Sequence, residues 1–192
     1  MKNQVTNILI VGVGGQGTLL SSKIMGQAAL LAGLDVKQSE VHGMAQRGGS
    51  VVTYVRMGDK VYSPLIEKGN VDIILAYEKL EALRWADFLK PEGTIIVNDQ
   101  EISPIPVIIG AAEYPGEIFK KIEDAGVKTI KIDALTPAKK LGEFKAVNVI
   151  LLGVAAKMLG FEKKLWEQAI DETIAPKMLE VNKKAFEIGW AM

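Results

Sequence analysis

The sequence contains no cysteine. That absence excludes a disulfide framework, a thiolate nucleophile and any iron–sulfur cluster held by thiolates of this chain. Only one histidine is present, and a solitary imidazole without a second histidine or a cysteine beside it is a poor basis for a metal site. An excess of charge of either sign is also missing, because Lys plus Arg and Asp plus Glu both number 23. Neither nucleic acid nor an anionic membrane is favoured electrostatically. No apolar run reaches the roughly 20 residues of a membrane-spanning helix. The longest, 147–156, contains Asn148 and reads as a buried core helix. The first residues lack the basic region, apolar stretch and cleavage site of a signal peptide, so the expected location is cytoplasmic.

What remains is an α/β pattern in one domain, 1–192, long enough to bury its own core. Ile8-Leu9-Ile10-Val11 is a continuous apolar run of the kind shown by strands covered on both faces. Residues 17–32 repeat small and apolar positions at helical spacing up to Gly33. Strands are expected at 36–39, 72–76, 94–98 and 128–132, with helices over 78–89 and after Tyr114-Pro115. A turn is expected at 90–93. Residues 51–56 and 60–63 flank Met57-Gly58-Asp59 and read as a β-hairpin. From about Ala134 the chain is mostly helical. These elements predict a three-layer α/β/α domain with a mostly parallel sheet, an inserted β-hairpin and a helical C-terminal part.

Two glycine-rich segments stand out from this framework. Gly12, Gly14 and Gly17 fill the G-x-G-x-x-G pattern between a predicted strand and a predicted helix. In a dinucleotide site the helix N-terminus holds the pyrophosphate and an acid at the end of the second strand takes the ribose. Asp35 precedes that strand and Glu40 comes late, so the nicotinamide reading is left open beside one in which the glycines only allow close packing. The second segment, His42-Gly43-Met44-Ala45-Gln46-Arg47-Gly48-Gly49, gathers the lone histidine, Gln46 and Arg47 just after Glu40. Arg47 followed by two glycines offers a guanidinium and backbone donors to a carboxylate or phosphate. His42 is either a proton carrier or a hydrogen-bonding residue. Asn148 suits a ligand contact or a bond to neighbouring backbone. Trp85, Trp166 and Trp190 fall on predicted helices, as core or interface anchors.

Gly12-Val13-Gly14-Gly15-Gln16-Gly17, then Ser39-Glu40-Val41-His42-Gly43-Met44-Ala45-Gln46-Arg47-Gly48-Gly49-Ser50, then Asn98-Asp99, together resemble the gamma-type domain of the 2-oxoacid:ferredoxin oxidoreductases. The second run is most similar to the indolepyruvate branch, and the resemblance covers essentially the whole chain. It implies the fold of domain III of pyruvate-ferredoxin oxidoreductase and a subunit of an enzyme rather than a self-sufficient one. Thiamine diphosphate and iron–sulfur clusters are then expected on a larger partner subunit, with coenzyme A as acyl acceptor and ferredoxin as electron acceptor. No metal or cofactor is expected on this chain alone, and no catalytic residue is assigned to it. The residues expected to meet a ligand or the partner are Gly12, Gly14, Gly15, Gln16, Gly17, Glu40, His42, Gly43, Gln46, Arg47, Gly48 and Gly49. Other 2-oxoacid branches and a stand-alone NAD(P)-dependent dehydrogenase are the alternatives.

Overall fold

The computed structural model describes residues 5–43 and 48–192. Six strands, β1 (Val5–Val13), β2 (Asp35–His42), β3 (Ser50–Gly58), β4 (Val71–Ala76), β5 (Leu89–Asn98) and β6 (Lys128–Ile132), form one sheet in the order β2-β3-β1-β4-β5-β6. The strands β1, β4, β5 and β6 run parallel, whereas β3 is antiparallel to both its neighbours, β1 and β2.

The apolar run of β1 is divided by the pleat between two cores. Ile8 and Ile10 join Val55, Met57, Ile73, Leu75 and Ile96 on one face. That face is covered by α1 (Thr18–Leu31), α6 (Val147–Leu159), α7 (Lys163–Thr173) and α8 (Pro176–Ala191), with the short α5 (Leu135–Lys140) at the edge. Leu9 and Val11 join Val52, Ile74, Ala76, Ile95 and Val97 on the other face, beneath α2 (Lys79–Trp85) and α4 (Ile118–Asp124). Helices therefore lie on both faces, which gives the three layers expected from the alternation of the chain.

Some elements differ from their sequence-based expectation. An inserted hairpin exists, but it consists of β2 and β3, joined through the second glycine segment. Residues 60–63 do not form its second arm. With β2 on one side and β1 on the other, β3 has no free edge to offer them. They are tied down as an irregular loop instead: Val61 N–H donates to Asp35 Oδ2 at 2.9 Å, and the Arg56 guanidinium donates to the carbonyls of Ser63 and Leu65. The expected turn at 90–93 lies within β5, which begins at Leu89 opposite Val71. The register shifts between Val71 and Ile73, where Pro91 has no N–H to contribute. The helix expected over 78–89 stops at Trp85, and a single 3₁₀ turn, Ala86–Phe88, leads into β5. A four-residue helix, α3 (Ile105–Ile108), carries no amphipathic period and was not expected.

The C-terminal helices pack through aromatic rings and bare backbone. Trp166 of α7 stacks between Phe161 and Phe186, and Phe186 in turn meets Trp190. Where α6 crosses α8, Gly153 and Gly189 face one another. A Cβ on Gly153 would lie 2.5 Å from the Phe186 carbonyl oxygen, and one on Gly189 would overlap the Ile150 carbonyl. Gly189→Ala therefore forces two helix backbones apart, and we expect it to cost about 3 kcal/mol. Gly116→Ala, where nothing lies within 4 Å of the added carbon, should stay within about 0.5 kcal/mol of the parent. Urea midpoints of the two variants check this contrast.

Candidate site at the carboxyl end of the sheet

The connections leaving β1 and β4 pass to opposite faces, through α1 and α2. Their carboxyl ends therefore flank the switch point at which open α/β sheets form crevices. The first glycine loop, Gly14–Gly17, sits there, and the hairpin β2–β3 brings the second segment to the same place. Gly14 N–H donates to the Gly49 carbonyl at 2.8 Å, and Gly48 N–H donates to the Gly14 carbonyl at 3.5 Å. The two loops are clasped backbone to backbone. Met44–Arg47, and with them the sequence candidates Gln46 and Arg47, lie outside the described residues.

The glycines of the first loop have separate physical roles. A Cβ on Gly12 would lie 2.9 Å from Gln16 Oε1 and 3.2 Å from Tyr77 Cβ, so its smallness serves packing. Gly17 has φ +84° and occupies the space beneath the Asn148 amide, whose Nδ2 donates to the Gly17 carbonyl at 3.3 Å. Gly15 has φ +103° with nothing within 4 Å of its missing side chain. It is the glycine that faces open space. Gln16 turns inward rather than outward: Val13 N–H donates to its Oε1, and its Nε2 donates to the Tyr77 carbonyl. It therefore shapes the loop from within.

Two cavities share the wall formed by Gly15 and Gly17. The first, about 350 Å³, is bounded by the loop, by Lys145, Ala146 and Asn148, and by Ile174, Ala175, Met178 and Asn182. Gly17, Ala146 and Ala175 are the N-caps of α1, α6 and α8, and none of those three helix starts receives a side-chain cap. These three helix starts border one apolar-walled space that also takes in Lys145 and Glu143. Because α8 opens on Pro176, which has no N–H, and α6 follows a 3₁₀ turn capped by Glu143, the start of α1 and the Lys145 ammonium are the groups there suited to an anion. The second cavity, about 370 Å³, lies between Gly14, Gly15, Gly17, Thr18 and Leu19 and the hairpin residues Glu40, His42 and Val51. Glu40 Oε2 accepts from Thr18 Oγ1 at 3.3 Å and from Thr53 Oγ1 at 3.0 Å. His42 is exposed, with Nδ1 3.0 Å from the Gly43 carbonyl. Gly43 is likewise exposed.

Asp35 is remote from this end. It pairs with Lys37 at 2.7 Å and takes the Val61 N–H, contacts that hold its carboxyl down at about 2. It is a loop anchor and not a ribose acceptor.

Residues that sequence reasoning missed support the loops from below. Tyr77 is fully buried and donates through its hydroxyl to Ser21 Oγ at 2.5 Å, and burial pushes its phenol well up. Asn98 Nδ2 donates to the Tyr77 carbonyl, and Asn98 Oδ1 accepts from Ala134 N–H, which joins the ends of three successive segments. Two buried glutamates follow β4. Glu78 caps α2 by accepting from Glu81 N–H, and it also accepts from Ile102 N–H and the Tyr114 hydroxyl. Glu81 Oε2 accepts from Ser50 Oγ at 2.5 Å, next to the second glycine segment. Burial pushes the Glu81 carboxyl up, against the Ser50 hydrogen bond and the Arg84 guanidinium, while the charge of Glu78 adds to the rise. The pair Tyr77-Glu78 at a strand end was the available signal, because ionisable groups after a buried parallel strand sit at this end of the sheet.

The family model for pyruvate ferredoxin/flavodoxin oxidoreductase matches residues 7–192. The chain is 44% identical over 190 residues to indolepyruvate oxidoreductase subunit IorB of Thermococcus kodakarensis, covering 95% of this chain and 93% of that protein. Its fold is similar to the crystal structure of the gamma subunit of a keto/oxoacid ferredoxin oxidoreductase from Geobacter sulfurreducens, with TM-score 0.72, 25% identity and coverage of 97% and 96%. It is also similar to part of the 2-oxoglutarate:ferredoxin oxidoreductase of Magnetococcus marinus, with TM-score 0.73 and 20% identity. That likeness covers 100% of this chain and 31% of the longer one.

Two tests separate the roles assigned to these residues. Gly17→Ala combines backbone strain with displacement of Asn148 and should cost about 2 kcal/mol more than Gly15→Ala, which suffers strain alone; denaturant midpoints decide. A carboxyl raised in the folded state stabilises below its unfolded value, here 4.5, and that contribution is lost as the pH rises through the folded value. Parent protein should therefore lose stability relative to Glu81→Gln as the pH is raised from 4.5, which paired melting curves across that range measure.

Proposed function

The chain belongs to the pyruvate ferredoxin/flavodoxin oxidoreductase family, and from that premise we propose that it is the small subunit of an indolepyruvate:ferredoxin oxidoreductase. The observation that carries this reading is 44% identity to an indolepyruvate oxidoreductase subunit over nearly the full length of both chains. Of the Ser39–Ser50 run on which the resemblance rests, Ser39–His42 close β2, Ser50 opens β3, and Gly48 and Gly49 are clasped to Gly14.

The complete enzyme oxidatively decarboxylates an aryl-2-oxoacid, passes the acyl group to coenzyme A and sends electrons to ferredoxin. Thiamine diphosphate supplies the carbanion stabilisation when bound, and iron–sulfur clusters carry the electrons. The residues of this chain do not fit such a cluster, because it has no cysteine. Among the described residues no group of three or more His, Asp or Glu is placed to hold a metal ion. Those groups belong to a large partner subunit, and this chain is inactive without it. A similar fold occupying 31% of a longer chain agrees with a domain built to be covered by others.

The work of this chain is to bind and position. The clasped glycine loops present backbone against the large subunit, and the cavity between Gly15–Gly17 and the starts of α6 and α8 receives the anionic part of coenzyme A. The positive end of α1 and the Lys145 ammonium offset its phosphate charge. The apolar side chains of Met178 and Ile174 exclude water from the same space.

Co-expression with the large subunit tests the assignment. Indolepyruvate- and coenzyme A-dependent reduction of ferredoxin should require both chains, and the small chain alone should bind nicotinamide nucleotides without tight saturation. Turnover by the isolated chain with a nicotinamide coenzyme would overturn the reading. In the assembled enzyme, Lys145→Ala should raise KM for coenzyme A about fivefold, in keeping with one partly solvated charge-assisted contact, and leave kcat within about twofold.

A further inference from the structure

Glu81 is not needed to cap its helix. Glu78 already caps α2 and satisfies the Ile102 and Tyr114 donors. Glu81 lies one turn further along and is buried at 4% exposure in a helix of seven residues. Burying a carboxylate is costly unless it is paired and hydrogen-bonded. Its partners are Ser50 Oγ at 2.5 Å and, more weakly, Arg84 Nε at 3.4 Å, and the Trp85 indole N–H adjoins the same carboxyl. The carboxylate thus reaches out of its own helix to the first residue of β3. Ser50 stands opposite Val13 in the sheet, directly after Gly49, whose carbonyl takes the Gly14 N–H.

Glu81, Ser50, Gly49 and Gly14 form a continuous connection from α2 to the meeting point of the two loops. We propose that Glu81 is a positioning residue: through Ser50 it fixes the start of β3, and so the clasp of Gly48 and Gly49 on Gly14 that faces the large subunit. Gly48, Gly49, Ser50, Glu78, Glu81 and Arg84 border one small cavity with Val13 as a further wall. The connection therefore runs beside open space rather than through solid packing. That geometry lets the loop shift when the latch is broken without loss of the core. The functional half of this inference rests on the reading of the chain as a subunit. The latch itself does not.

The experiment uses Ser50→Ala, Glu81→Ala, the double variant, and Ser50→Thr, which keeps the hydroxyl. In the isolated chain, amide hydrogen exchange at Gly14 reports the clasp directly. Each alanine variant should speed it about tenfold, as loss of one charge-assisted hydrogen bond implies, while amides of β5 stay unchanged and Ser50→Thr stays near the parent. In the assembled enzyme the same alanine variants should raise the dissociation constant for the large subunit about tenfold with kcat within about twofold. The double variant should go no further than either single one.

A purely structural role predicts lower stability with parent-like affinity of the folded fraction. That result, unchanged Gly14 exchange, or effects that multiply in the double variant would overturn the proposal. Failure of the parent chain to bind the large subunit would count against the subunit reading instead, and Gly14 exchange would still decide the latch.

Discussion

The site depends on one close approach: the Gly14 backbone lies against Gly48 and Gly49, with N–H and carbonyl groups exchanged between them. At Gly48 the requirement for glycine is conformational, because φ is +75° and an added Cβ would meet nothing within 4 Å. Once that contact is made, the antiparallel β3 is held beside β1 and carries β2 to the sheet edge. Glu40 and His42 then stand over the start of α1, as two walls of a cavity whose third wall is the first loop. Loop, hairpin and helix start are mutually dependent.

The second support is polar and buried. Tyr77 donates to Ser21, Ser21 Oγ lies 3.4 Å from the Asn148 carbonyl, and Asn148 Nδ2 donates to Gly17. This chain of contacts links the end of β4 to α1, α6 and the first glycine loop. Each of these side chains is satisfied, which is the condition under which a buried polar network defines one arrangement instead of destabilising the core. Its position matters for binding. The same residues set the distance between the starts of α1 and α6, and so the width of the cavity that both border.

The sequence revealed the parts that obey simple periodicity. Ile8–Val11, 72–76 and 94–98 are strands because a run of apolar residues covered on both faces has few other stable solutions. Thr18–Leu31 and Val147–Leu159 are helices at nearly their expected bounds. The placement of the second hairpin arm was not legible, because pairing is decided by which strand edge is vacant, and β2 had already taken it. Nor was the difference between Gly15 and Gly17, since both fall in one motif and only the neighbouring Asn148 distinguishes them. The role of Glu78 depends on Ile102 and Tyr114 and that of Glu81 on Ser50, partners at least 24 positions away. Local patterns carry no such information.

The G-x-G-x-x-G pattern illustrates why a motif constrains shape more than chemistry. In a dinucleotide-binding sheet the second strand lies next to the first, and its terminal acid reaches the ribose held on the glycine loop. Here β3 lies between β1 and β2. The acid at the end of β2, Glu40, is already engaged by the hydroxyls of Thr18 and Thr53. Of the three motif glycines, Gly12 and Gly17 are required by Tyr77, Gln16 and Asn148, residues of this protein rather than of a ligand. The open position is Gly15, which lies outside the motif's three fixed places and borders both cavities. What the loop retains from the dinucleotide architecture is the exposed helix N-terminus. Its partial positive charge is indifferent to whether the anion belongs to a nucleotide cofactor, to an acyl carrier or to a neighbouring subunit. Selectivity must then come from what surrounds it, and in this chain that is the clasped hairpin, Lys145 and the starts of α6 and α8.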